Sequence, residues 1–199
     1  MNDFITLWNK NANATIDLKN RLINDENVAL QVSSIATELI AAFKRGNKVL
    51  FCGNGGSAAD AQHLAAELSG RYYYDRPPLF AEALHVNGSY LTAVANDYSF
   101  EEIYARMIQG AGAKGDVLIA LSTSGNSPNI IKAILAAQKQ EMIVIGFTGE
   151  HGGKMNDMCN YLIKVPSSDT PRIQECHMLI GHTLCEIIEK EIFPKEDVH

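Results

Sequence analysis

The sequence predicts an α/β fold: a parallel sheet covered by helices on both faces, in one domain spanning residues 1–199. Two observations carry that prediction. Short apolar runs recur along the chain at Lys48–Cys52, Asp116–Leu121, Met142–Thr148 and Tyr161–Val165, without the alternation expected of half-exposed strands. Between them lie segments with helical apolar spacing, and such strand–helix alternation builds parallel sheets. A chain of 199 residues also buries a substantial core without disulfide or metal staples.

Taken in order, residues 1–46 predict two helices, and residues 47–199 the α/β core with a C-terminal helix. In the second helix Val28, Val32, Ile35, Leu39 and Phe43 recur every three or four positions, an amphipathic stripe. Asn24-Asp25-Glu26-Asn27 supplies the break and the capping chemistry between the two. Gly46-Asn47 ends the second helix. The first apolar run then passes through Gly53-Asn54-Gly55-Gly56 into a helix from about Ser57 to Ser69. Leu79–Val86, after Pro77-Pro78, is a further strand candidate, and Ser99–Gly110 reads as helical. The remaining strands alternate with a helix over Pro128–Gln140, and Pro171 opens a long helix to about Lys190, proline being favoured in a first turn.

Composition narrows the function classes. Apolar residues at 46% and charged residues at 20% are ordinary for a globular protein. A net charge of −6 argues against a nucleic-acid-binding face, which carries a basic excess, while leaving small phosphorylated ligands open. No apolar stretch reaches the ~18 residues that suggest a membrane span, and Met1–Asn20 lacks a signal-peptide run. The expectation is a cytoplasmic protein without membrane or nucleic-acid partners. Cys52, Cys159, Cys176 and Cys185 form no CxxC pair and read as reduced thiols, Cys52 in the core.

Ligands of open parallel sheets sit beyond the carboxyl ends of the strands, which directs attention to the turns that follow them. Gly53-Asn54-Gly55-Gly56-Ser57 lets the backbone approach a ligand closely and opens a helix at Ser57. Ser122-Thr123-Ser124-Gly125-Asn126-Ser127 adds four hydroxyls and ends in Ser127-Pro128, an N-cap followed by proline at the first helical position. Two such turns suit a phosphate held without lysine. Serine and glycine also build turns and caps with no ligand, and that reading stands beside the first. Neither turn is a Walker motif, and the literal GxGxxG at Gly110–Gly115 follows a helix and precedes a strand, the reverse of the dinucleotide context.

Ionisable residues lie close by in the pattern. His63 and Glu67, four residues apart, share one face of the helix after the first turn. On the C-terminal helix Gln174 and His182 stand two turns apart, roughly 80° around the axis. Two imidazoles and a carboxylate, with Gln174 as a weaker fourth ligand, suit a divalent metal such as zinc. They equally suit proton transfer with Glu67 and His182 as an acid/base pair. A surface His–Glu pair and a core-facing histidine give the same spacing. His85, His151 and His177 show no comparable partner pattern and read as structural.

The stretches CGNGGSAADAQHLAAEL, AVANDYSFEE, ALSTSGNSPNIIKAI, TGEHGGKM and RIQECHMLIGH resemble the sugar isomerase (SIS) domain family. Within it the resemblance is to the bacterial branch acting on sedoheptulose 7-phosphate, and it covers nearly the whole chain. It implies a flavodoxin-like three-layer sandwich with a five-stranded parallel sheet. It also implies a homotetramer whose sites are completed by neighbouring subunits, with the N-terminal helices of residues 1–46 serving oligomerisation. It implies that Asn54, Gly55, Gly56 and Ser57 line a sugar-phosphate site with Ser122, Thr123, Ser124 and Ser127, that Asn96 and Asp97 contact the sugar, and that Arg71 reaches an adjacent site. His63, Glu67, Gln174 and His182 match the family's zinc positions, with one ion per subunit. Glu67 and His182 match its acid/base residues, with Glu67 and Gln174 also at the substrate. The implied activity is aldose–ketose isomerisation of sedoheptulose 7-phosphate to D-glycero-D-manno-heptose 7-phosphate, an early step toward heptose precursors of surface polysaccharide such as lipopolysaccharide.

A second branch of the family binds the replication initiator DnaA. Phe193-Pro194-Lys195-Glu196-Asp197, Ala58-Ala59 and Ala61-Gln62-His63 have some of its character. That branch lacks the residues standing here as Glu67 and His182, which favours the enzyme. A sugar-phosphate sensor that binds without turnover is the third expectation.

Overall fold

The computed structural model of the chain describes residues 2–195. Two helices lead, α1 over Asn2–Ile23 and α2 over Glu26–Lys44. The Asp25 side chain caps α2 by accepting from Asn27 N. Gly46, at φ +81°, closes α2 with a paired turn in which Gly46 N donates to Phe43 O and Asn47 N to Ala42 O. The polar run and the glycine therefore do the local work that their chemistry predicts.

Strand–helix alternation follows as β1 (Val49–Gly53), α3 (Gly56–Ser69), β2 (Ala81–Ala83), α4 (Gly88–Asp97), a 3-10 turn at Phe100–Glu102 and α5 (Ile103–Ala111). Next come β3 (Val117–Leu121), α6 (Pro128–Lys139), β4 (Ile143–Thr148), a 3-10 turn at Gly153–Asp157, β5 (Tyr161–Lys164) and α7 (Thr170–Ile192). The five strands form one parallel sheet in the order β2-β1-β3-β4-β5. This is the five-stranded α/β sandwich implied by the resemblance.

Alternation along the strands sorts the core into two layers. Val49, Phe51, Val117, Ile119 and Leu121 pack on one face with residues of α1, α2, α3 and α7, among them Leu18, Leu39, Leu64 and Ile180. Leu50, Cys52, Leu118, Ala120 and Val144 face the other way, onto residues of α4, α5 and α6 such as Val94, Ile108 and Ile134. The N-terminal and C-terminal helices thus share a layer with α3. That packing brings α7 beside α3.

Two elements depart from the sequence expectation. Helix α4 (GSYLTAVAND) was not anticipated, because glycine and β-branched residues weaken the local preference for helix. It is held instead by the Asn87 cap accepting from Tyr90 N. Strand β2 covers only three residues of Leu79–Val86, as befits an edge strand.

Candidate active site

The first turn leaves β1 at Gly53 and enters α3 through Gly55, whose φ of +55° a side chain would strain. A Cβ on Gly56 would sit 2.5 Å from Gln174 Nε2, so Gln174 of α7 lies directly on this turn. Its Nε2 is 3.5 Å from Ser57 Oγ, and Ser57 is buried beneath it. The Ser57 hydroxyl therefore faces Gln174, and Gly55 and Gly56 form the outer surface of the turn. Asn54 exchanges two amide hydrogen bonds, of 2.9 and 2.8 Å, with Asn129 in the first turn of α6. This pair ties the first turn to the second.

In the second turn Ser122 Oγ and Ser127 Oγ lie 3.1 Å apart. Ser127 occupies the N-cap position of α6 with Pro128 behind it, yet its hydroxyl makes no cap bond. The expectation of a capping serine is corrected: the hydroxyl is taken up by Ser122. Gly125, at φ +65°, lies so close to Gly152 that a Cβ would come 2.0 Å from its carbonyl oxygen. The segment after β4 thereby backs the turn. Thr123 and Ser124 line a cavity of about 290 Å³ with Asn126, His151, Ser167 and Thr170.

The ionisable residues converge. On α3, His63 Nε2 and Glu67 Oε1 are 3.0 Å apart. His182 Nε2 of α7 lies 3.4 Å from His63 Nε2, the two rings meeting edge to face. Gly181 is the local cause: a Cβ there would sit 2.5 Å from the Leu64 methyl carbons, so its absence lets the helices cross closely beside both histidines. The His182 imidazole is held below its ordinary pKa by burial and by His63, against the opposing pull of Glu67. The three potential ligand atoms lie within 4.8 Å of one another. This donor set can hold a divalent metal, with two neutral imidazoles and a carboxylate being ordinary zinc chemistry.

A cavity of about 600 Å³ runs along α7 past Gln174 and His182 and is lined also by Lys19, Asp60, Glu175 and Leu179. It joins the first turn, through Gln174, to the cluster, through His182. Asp60 was missed in the sequence, although its spacing of three from His63 placed it on the same helical face. Burial raises its pKa to about 6, His63 opposing, and its Oδ2 has no hydrogen-bond partner. Asn129 was missed as well, its only signal being its place after Ser127-Pro128.

The other expected residues lie nearer the margin. Asn96 and Asp97 end α4, exposed and hydrogen bonded to each other at 2.9 Å. The chain reaches α5 soon after, and there the Tyr104 hydroxyl donates to Gly53 O, so this segment borders the first turn. Arg71 is exposed in the connection after α3. His177 is fully buried and bonds Thr148 O at 3.2 Å, and burial lowers its pKa to about 4. Cys52 is buried, and all four cysteines are free thiols.

Parallel strands with two polar turns at their carboxyl ends and an ionisable cluster beyond them put the candidate site where open α/β sheets bind ligands. The chain belongs to the SIS domain family, whose family model matches residues 12–149. It is 51% identical over 181 residues to "Phosphoheptose isomerase 2" of Campylobacter jejuni, covering 91% of this chain and 90% of that one. It is 47% identical over 193 residues to the phosphoheptose isomerase of Aneurinibacillus thermoaerophilus, covering 97% and 96%. The solved structure of phosphoheptose isomerase GmhA from Neisseria gonorrhoeae superposes with a TM-score of 0.88 at 37% identity, covering 94% of this chain and 99% of that one. The initiator-binding reading finds no support among these relatives. Of its terminal segment, Glu196 and Asp197 lie outside the described residues.

Proposed function

We propose that the chain is an aldose–ketose isomerase that converts sedoheptulose 7-phosphate to D-glycero-D-manno-heptose 7-phosphate. The observation that carries this reading is the meeting of His63 and Glu67 with His182, which lines one cavity with Gln174, itself placed against Ser57 of the first strand-end turn. The phosphoheptose isomerase names of relatives about half identical to this chain supply the substrate.

The reaction moves a proton between C1 and C2 through an enediol-like intermediate. It requires a base beside the carbon, charge stabilisation at the oxygens and a distant grip that fixes orientation. The turns of 53–57 and 122–127 hold the phosphate. Glu67 meets His63 through Oε1, which leaves its second oxygen to carry the carbon-bound proton. His182, kept toward neutrality, or the metal it would help to hold, handles the charge at the sugar oxygen. Asn96 and Asp97 contact the sugar, and Gln174 spans the phosphate turn and the reacting end. His63, Glu67, Gln174 and His182 would hold one zinc ion per subunit. Bound there, zinc supplies Lewis acidity at the substrate oxygens.

A homotetramer in the cytoplasm completes the proposal. Helix α1 leaves Phe4, Ile5, Leu7 and Trp8 exposed, Trp8 at 71%, an apolar patch of the kind that partner subunits cover. Arg71 is then free to enter a neighbour's site. Among the described residues no helix is long and apolar enough to cross a membrane.

The test is incubation of purified protein with sedoheptulose 7-phosphate, following the aldose by NMR, with chelator and with zinc restored. Turnover that stops with chelator and returns with zinc is expected. Absent turnover from folded, zinc-supplied protein that still binds the sugar phosphate would overturn the enzyme reading in favour of a sensor.

A further inference from the structure

Chemistry shared between α3 and α7 depends on the spacing of two helices. A buried ion pair also ties the end of α3 to α7. Beyond α3 the chain turns back and delivers Arg76, whose side chain is 2% exposed. Its Nη2 donates to the carbonyl oxygen of Glu67 at 2.8 Å. Its Nη1 donates to those of Leu68 at 2.7 Å, Gly70 at 3.0 Å and Pro77 at 3.0 Å. Nε meets Glu189 Oε1 of α7 at 3.1 Å, the glutamate side chain being 1% exposed. Glu189 also accepts from Tyr72 N at 2.8 Å and Tyr73 N at 2.7 Å.

The cation thus satisfies the terminal carbonyls of α3, where the helix dipole favours positive charge. Its counter-ion sits on α7, seven residues after His182. The segment between them carries Tyr72, whose ring lies 5.9 Å from that of His182. A buried ion pair is poor material for stability alone, since apolar residues of similar volume often replace it without loss. An apolar pair, however, could not bond the carbonyl of Glu67 and the amides beside Tyr72 at once.

Resting on the reading of the α3–α7 cluster as the reacting centre, we propose that Arg76 and Glu189 form a positioning pair. The pair sets where Glu67 stands relative to His182, and through that the cluster's affinity for a divalent metal and its turnover. The phosphate grip lies outside its influence.

The test uses Arg76→Lys and Glu189→Gln in the full chain. Zinc affinity is measured by competition with a chromophoric chelator, and kcat and KM with sedoheptulose 7-phosphate, beside thermal melts. Expected in folded variants are zinc affinity weakened about 10- to 100-fold, as for other groups that orient metal ligands, and kcat reduced with KM within about threefold. Zinc affinity and kcat within twofold of the unsubstituted chain would overturn the proposal, as would a rise in KM alone. Amide exchange in the unsubstituted chain decides the matter even where neither variant folds. By linkage, a pair that favours metal binding is itself steadied by the metal, so zinc should slow exchange over residues 70–76 as well as over α3. Slowing over α3 alone would overturn the proposal. An unsubstituted chain that neither binds zinc nor isomerises the sugar would instead overturn the functional reading on which the proposal rests.

Discussion

The strand-end turns are made of backbone and hydroxyl groups from two short stretches, 53–57 and 122–127, each contiguous in sequence and fixed by the strand before it. The α3–α7 cluster is made of side chains 119 residues apart, fixed by a helix crossing at Gly181. The turns offer dipoles suited to an anion, with no group that must change protonation. The cluster offers groups that lose and gain protons. Under the proposed function the contrast assigns holding and changing the sugar to different parts of the molecule, and substitution tests whether the two tasks separate.

His182→Asn should produce the largest effect. Loss of a positioned acid/base lowers kcat by about 10²- to 10⁴-fold, while KM stays within about threefold because the turns are untouched. Steady-state kinetics would break the comparison if KM rose in proportion instead.

The other imidazole of α7 sharpens the boundary of the cluster. The unfolded chain protonates His177 near pH 6.5, the folded chain only near 4. Between those values the unfolded state binds more protons, so stability is full above pH 6.5 and declines as the pH falls toward 4. The shift corresponds to about 3 kcal/mol. Urea melts across this range should show the decline, and His177→Gln should flatten it.

Gly181→Ala tests the crossing itself. A methyl group forced against Leu64 costs about 1–3 kcal/mol by overpacking, read as a lower melting temperature, and weakens zinc binding with it. The smallest effect belongs to one hydroxyl of the turns. Ser124→Ala should raise KM about fivefold, equivalent to about 1 kcal/mol for one hydrogen bond, with kcat unchanged.

The same division explains what the sequence disclosed. The turns, the strands before them and the His63–Glu67 pair were legible because each depends on local periodicity or turn chemistry. The convergence of His182 on His63 could be anticipated from helical phase and family resemblance. Its cause, a glycine facing Leu64, could not, since glycine inside a helix pattern carries no partner information. Asn129 and Glu189 were illegible for the same reason: an amide or carboxylate on a helix gives no sign of which distant group it meets. Helix α4 was missed because a cap, and not propensity, sustains it.

The most direct measurement follows sedoheptulose 7-phosphate in D2O with the Glu67→Gln variant. Proton NMR reports deuterium entering at C1, and calorimetry on the same sample reports binding. The account predicts binding within about threefold of the unsubstituted chain, through turns the substitution does not touch, and loss of C1 exchange by at least about 10²-fold. Exchange that persists in the folded variant, or binding that vanishes together with it, would contradict the division between a grip that holds the sugar and a cluster that changes it.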